Sequence, residues 1–184
     1  MVVKMSELIR FEIRELPRLY LVAKELRYSM EALMQGDNRL PAFWGQCFGD
    51  GTFETLDKCG APYEDASVGL MADWDKGDGD FSYLIGVLFT SPVEIPAGFI
   101  GRTLEPCSAA IGWLRGKDTA DVCGDAHEKV EAALREKGLS CDNMPWSMEL
   151  YNCPRFTTPD ENGLLTLDYY IPCSTSSAGG NEPQ

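Results

Sequence analysis

The chain has 184 residues, 44% of them apolar and 10% aromatic, which suits one domain with a sizeable core and is too hydrophobic for a disordered chain. With 16 Lys and Arg against 29 Asp and Glu the net charge is −13, and no basic stretch offers phosphate contacts, which argues against nucleic acid as a direct partner. No apolar run approaches the roughly 18 residues needed to span a bilayer, and the opening MVVKMSELIRFEIRE is charged throughout, so neither a membrane partner nor a signal peptide is expected and the chain reads as cytoplasmic.

Residues 8 to 25 give a short alternating run, a turn at Pro17 and a strand-like LYLVAKE. A helix is predicted over DNRLPAFWGQCFGDG, where Leu40, Phe43, Trp44, Cys47 and Phe48 fall on one helical face. Asp37 or Asn38 can cap it, Pro41 suits its first turn, and Gly49 and Gly51 end it. Two strands follow around SVGLMADW and FSYLIGVLFT, the second with Phe81, Tyr83, Ile85, Val87 and Phe89 on one face. After the connection PVEIPAGF the order repeats with a strand over CSAAIGWLRG and a helix over DTADVCGDAHEKVEAALREKG. Val122, Ala126, Val130, Ala133 and Leu134 form that helix's buried stripe, and Gly138 is its natural terminator. The strands SMELYN and LLTLDYYIPC close the domain, joined by PRFTTPDENG. The prediction is an α+β fold of two strand–helix–strand–strand halves, about residues 8–96 and 97–173, packed as one domain, with a flexible tail from 174 to 184.

Most short motifs carry little chemistry. DWDKGDGD fails as a calcium loop, because with Asp73 at position 1 the bidentate acid due at position 12 is Leu84. The seven cysteines are irregularly spaced, lack a C-x-x-C pair and share the chain with one histidine, so they read as reduced core thiols and no metal is expected. His127 falls on the polar side of its helix and reads as a surface residue. Nucleotide and hydrolase signatures are absent, and no cofactor is expected.

The informative residues are carboxylates set inside strands. Alternation puts Ser147, Glu149 and Tyr151 on one face of their strand, opposite Trp146, Met148 and Leu150. In the last strand Thr166, Asp168 and Tyr170 share a face, opposite Leu167, Tyr169 and Ile171. Glu-x-Tyr is thus followed nineteen residues later by Asp-x-Tyr on the adjacent hairpin strand. The more apolar faces suit a helix-covered core, so the acid and tyrosine faces either meet water or line a cleft. Tyrosines beside acids favour a cleft, since aromatic walls and a carboxylate are what a lipophilic cation needs.

The element order, together with AFW on the first helix, YLIGV on a middle strand, MELYN and DYYIPC, resembles the gyrase-inhibitor-like small-molecule-binding superfamily over about residues 8 to 173. That family includes the effector-binding domains of multidrug-responsive transcription regulators and their stand-alone forms. The resemblance implies two halves around a pseudo-two-fold axis, an aromatic groove, and a glutamate in it that pairs with cationic hydrophobic ligands. Glu149 matches that position, with Tyr151 beside it. Asp168 and Tyr170 match the acid-x-aromatic step before the closing strand end, although Asp is shorter than the Glu often found there. Trp44 and Tyr83 match aromatic positions, with packing an equal reading for Trp44, and Trp113 and Trp146 are further wall candidates. No helix-turn-helix-like segment precedes the domain, so a stand-alone binder of small hydrophobic or cationic molecules is expected. Two alternatives follow from the same family: a hydrolase of cyclopropanoid or similar electrophilic toxins with Glu149 as acid or base, and a gyrase-inhibiting protein partner.

Overall fold

A computed structural model of the chain describes residues 6–74 and 76–175. Its central feature is one antiparallel sheet of eight strands in the order β1-β6-β9-β8-β3-β4-β2-β5. The strands are β1 (Glu7–Leu16), β2 (Leu19–Ser29), β3 (Ala66–Ala72), β4 (Asp80–Phe89), β5 (Ile100–Leu104), β6 (Cys107–Gly116), β8 (Trp146–Asn152) and β9 (Leu165–Pro172). A two-stranded ribbon pairs β7 (Leu139–Ser140) with β10 (Ser174–Thr175). Ser174 and Thr175, the first residues of the expected tail, thus pair with β7, and the rest of that tail, 176–184, lies outside the described residues.

The strand order contains the duplication. β1-β2-helices-β3-β4 and β5-β6-helices-β8-β9 map onto each other about an axis between β3 and β8. Each half gives its leading strand to the other: β1 pairs with β6, and β5 with β2. The central register runs from Ala66↔Asn152 to Ala72↔Trp146, with Gly69↔Glu149 as its middle pair. β5 has no counterpart in the sequence expectation, because IGRTL is short, contains a glycine and lacks clear alternation.

The connections force the sheet to curl. β1 and β2 stand six strand spacings apart in the sheet, about 29 Å if it were flat, yet only Pro17 and Arg18 link Leu16 to Leu19, a span of at most ~11 Å. The same applies to β5 and β6, linked by Glu105 and Pro106. Arg18 and Glu105 tie the two connections together at 2.7 Å. Inside the curl a helix-free face packs on itself through Leu16, Leu19, Leu70, Leu84, Leu104 and Ile111, all at 4% exposure or less.

The other face carries the helices, in two groups. α1 (Met30–Met34), α2 (Leu40–Gly49) and α3 (Thr52–Asp57) belong to the first half, and α4 (Thr119–Gly124) and α5 (Ala126–Glu136) to the second. The first predicted helix ends at Gly49 as expected, and a further helix, α3, starts after Gly51 at φ 80°, where Asp50 accepts from Thr52 N at 3.1 Å. The second predicted helix is interrupted. In the second half Asp125 leaves helical geometry at φ −129° and is held by Ser6 and Lys129. Buried Val122, Ala126, Val130 and Leu134 pack on Ala110, Leu114, Leu167 and Ile171, as the apolar stripe predicts. Among the described residues no helix is long and apolar enough to cross a membrane.

Candidate functional site

Glu149 stands at the middle of the sheet, on the helix-bearing face and at the seam between the two helix groups. Directly opposite residues in an antiparallel sheet share a face. The registers therefore group Ser147, Glu149 and Tyr151 with Gly69 and Met71 of β3, Tyr83 and Ile85 of β4, and Tyr169 of β9. Two hydroxyls converge on one carboxylate oxygen: Tyr83 Oη and Tyr151 Oη each donate to Glu149 Oε2 at 2.7 Å. Trp44 Nε1 donates to Tyr83 Oη at 3.0 Å, so a single chain of bonds runs from α2 through β4 to β8. The Cys123 thiol lies 3.7 Å from Tyr151 Oη.

Glycine makes this convergence possible. Gly69 is the direct partner of Glu149 across β3–β8. A Cβ at Gly69 would overlap the Tyr83 hydroxyl, lie 2.8 Å from its ring carbon Cζ and 3.0 Å from Glu149 Oε2. Tyr83 reaches across β3 only because that position is bare. Nothing in the sequence marks Gly69, since its importance depends on what crosses over it.

Aromatic rings wall the carboxylate. Trp44 meets Tyr151 edge-on at 4.9 Å and stacks with Phe53 at 6.3 Å, and Tyr151 meets Phe156 at 4.7 Å. Trp44 is half-buried and touches clusters of both halves, so it is wall and packing at once. Glu149 keeps intermediate exposure while its strand neighbours Met148 and Leu150 are buried. Part of the side chain is thus reached by solvent, yet protein crowds the carboxylate itself. That burial is the largest influence on Glu149 and raises its pKa, while hydrogen bonds from Tyr83, Tyr151 and Cys123 pull it partly back. Burial, then the neighbouring Glu149 charge, drive Tyr83 and Tyr151 well above the ordinary phenol range, so both stay protonated donors.

Two hollows flank this centre. One of about 190 Å³ lies beyond Tyr151, against Phe53, Leu56 and Ser67. One of about 700 Å³ lies beyond Ser147, and Glu149 lines neither.

The other expected residues are placed differently. Asp168 pairs with Leu150 and Tyr170 with Met148, so both belong to the opposite, inward-curled face. Alternation orders residues within a strand, but the offset between neighbouring strands decides which sets meet, and here Tyr169 is the partner of Glu149. Asp168 is buried and held bidentately by Arg155, with Nη2 at 2.6 Å and Nε at 3.2 Å. Trp113 is also off the Glu149 face, between Arg10 at 4.6 Å and Arg155 at 4.3 Å. Trp146 packs into the inner core and its edge borders the larger hollow. His127, read as a surface side chain, is exposed but places Nδ1 3.1 Å from Tyr169 Oη, beside the centre. The cysteines are all free thiols, but only Cys47 and Cys173 are buried, and Cys153 is exposed.

No protein-family model matches the chain. No curated protein matches it either. Solved structures do. A candidate bacterial transcription-regulation protein of Staphylococcus aureus MU50 superposes with a TM-score of 0.64 at 17% identity, over 90% of this chain and 98% of that one. SAV2435 bound to tetraphenylphosphonium gives 0.63 at 17% identity, over 90% and 94%. The C-terminal domain of EcmrR gives 0.55 at 9% identity, over 90% and 98%. What these proteins share with the chain is the fold. The likeness spans about nine tenths of the chain, so the α+β architecture as a whole is shared with these structures.

Proposed function

We propose that this protein binds amphipathic, hydrophobic small molecules, cationic ones above all, at the aromatic cluster around Glu149, between the two hollows. The observation that carries the proposal is the unbalanced charge of that carboxylate. It accepts bonds from two neutral hydroxyls, and among the described residues no lysine or arginine is bonded to it. A carboxylate removed from water without a counter-ion is costly, and a bound cation offsets that cost while its hydrophobic body covers the rings of Trp44, Tyr151 and Phe156. Tyr83 and Tyr151 fix the carboxylate's position, and Gly69 leaves the room for them. Support comes also from the fold: SAV2435, similar in architecture, was captured with tetraphenylphosphonium, a lipophilic cation. This reading agrees with the resemblance to effector-binding domains of the gyrase-inhibitor-like superfamily.

The test is a melting series of wild type and Glu149→Gln with tetraphenylphosphonium and with neutral triphenylphosphine oxide. A ligand at 100 times its Kd adds about 2.7 kcal/mol of stability. Stabilisation by the cation in wild type, with a clearly smaller shift in Glu149→Gln, is expected. Equal shifts in both proteins would remove Glu149 from the site. Silence toward every cation would move the case to the hydrolytic alternative, in which the raised carboxyl serves as an acid for a neutral electrophile.

A further inference from the structure

Two of the free cysteines meet at the β7–β10 ribbon. The ribbon pairs Ser140 with Ser174 and Leu139 with Thr175. One step further along β7 is one step back along β10, so the same antiparallel register sets Cys141 opposite Cys173. A hydrogen bond fixes the type of that pair. Cys173 N donates to Ser108 O at 2.9 Å, so the backbone groups of Cys173 turn toward β6 and away from Cys141. Opposite residues of this non-hydrogen-bonded kind stand about 4.5 Å apart at Cα, with their side chains closer than in the alternate pairs. A disulfide spans Cα separations of roughly 4.4–6.8 Å.

Face and burial agree with the register. Leu139, Cys141, Ile171 and Cys173 all belong to the cluster beneath α5. Cys107, the other thiol that feels the charge of Cys173, packs in the inner cluster on the opposite face of the sheet. Cys173 is buried, whereas Cys141 is half-buried and lines the larger hollow, so a small oxidant reaches Cys141 first. Its Sγ now donates to Glu131 Oε1 at 3.5 Å, a weak bond that is readily given up. Burial holds both thiols above their ordinary range, so few thiolates form at neutral pH and oxidation is slow.

We infer that Cys141 and Cys173 form a redox modification site, closed to a disulfide by hydrogen peroxide and reopened by small thiols. The Cys141 thiolate attacks one peroxide oxygen and the O–O bond breaks. Cys141 becomes a sulfenic acid, and the departing hydroxide takes the proton that the thiol gave up and leaves as water. The Cys173 sulfur then attacks the Cys141 sulfur. The S–S bond forms, the S–O bond breaks, and a second water leaves with the Cys173 proton. Together the two sulfurs lose two electrons, which the peroxide gains. The new bond ties the turn from Cys141 to Met144, which borders the larger hollow, to the end of the closing strand. The site goes beyond the ligand reading and does not depend on Glu149.

Treatment of the folded full chain with hydrogen peroxide, followed by alkylation, digestion and mass spectrometry, tests it. The expected product is a peptide pair linked through Cys141 and Cys173, with the intact mass lower by about 2 Da and both changes reversed by dithiothreitol. The closed protein melts higher than the reduced one, because the bond constrains the unfolded chain. Cys141→Ser, changed at a half-buried position, loses the linked peptide and the rise in Tm. Should that variant fail to fold, phenylarsine oxide, which bridges two adjacent thiols, decides on wild type: one equivalent should protect Cys141 and Cys173 together from alkylation. Protection of neither or of only one would overturn the site. So would oxidation that stops at Cys141 alone, a link from Cys173 to Cys107, or a Cys141–Cys173 link that forms only in denaturant.

Discussion

Glu149 and Asp168 stand on neighbouring strands of one sheet and face opposite ways. Both carboxylates are crowded by protein, and burial raises the pKa of each. The difference lies in what answers the charge. Asp168 has a guanidinium, Arg155, in a bidentate grip, itself stacked on Trp113. Glu149 has only the dipoles of Tyr83 and Tyr151. A buried acid with its own cation is a structural pair, whereas a buried acid held by neutral donors is positioned for a charge that comes from outside. Both are acids whose pKa burial raises, and the missing counter-charge separates them.

The comparison breaks most visibly at Arg155. Arg155→Ala turns Asp168 into a second unanswered acid and removes the cation over Trp113. A fully buried pair broken this way costs about 3–5 kcal/mol. Arg155 is 32% exposed, so a loss of about 2–3 kcal/mol is expected by urea denaturation, the largest effect in this set. No measurable loss would mean that Asp168 finds water or another donor and that the contrast with Glu149 is empty.

Gly69→Ala attacks the other side. The added methyl displaces Tyr83 from Glu149, at an overpacking cost of about 1–3 kcal/mol. It also weakens cation binding, because the carboxylate loses one of its two positioning donors. An unchanged melting curve and affinity would show that Tyr83 need not cross Gly69.

The smallest effect is on stability in Glu149→Gln, and its sign is diagnostic. A folded-state pKa raised above the ordinary value of 4.5 means that the folded protein holds more protons than the unfolded one in the range above 4.5. Stability therefore falls as pH rises through that range. Gln carries no charge and escapes the penalty, so the variant melts slightly higher than wild type at neutral pH and equally below pH 4.5. A difference of 1 kcal/mol corresponds to about 2–4 °C for a chain of this size. A lower Tm for Glu149→Gln at neutral pH would mean that its charge is answered inside the protein, as that of Asp168 is.

Much of the architecture is legible in the sequence, for local reasons. The Val122–Leu134 stripe, the Phe81–Phe89 alternation and the turn residues between them fix the repeated element order. Glu149 is also legible, as an acid between Met148 and Leu150 in a strand. Cross-strand offset is not. Asp168 and Tyr170 share their own face as alternation requires, but the β8–β9 register brings Tyr169 to Glu149 instead. The exchange of β1 and β5 between halves is equally hidden, because two-residue links such as Pro17–Arg18 read as hairpins while their strands pair elsewhere. Gly69 has no local signal at all.

The central claim is that Glu149 supplies the counter-charge to a bound cation. The most direct measurement is proton release on tetraphenylphosphonium binding, by calorimetry in buffers of different ionisation enthalpy. A cation beside Glu149 favours its ionised form, so wild type should release protons at pH values just above 4.5 and bind more tightly as pH rises, and Glu149→Gln should lack both effects. Binding by wild type with the same proton release and the same pH dependence as Glu149→Gln would contradict the account.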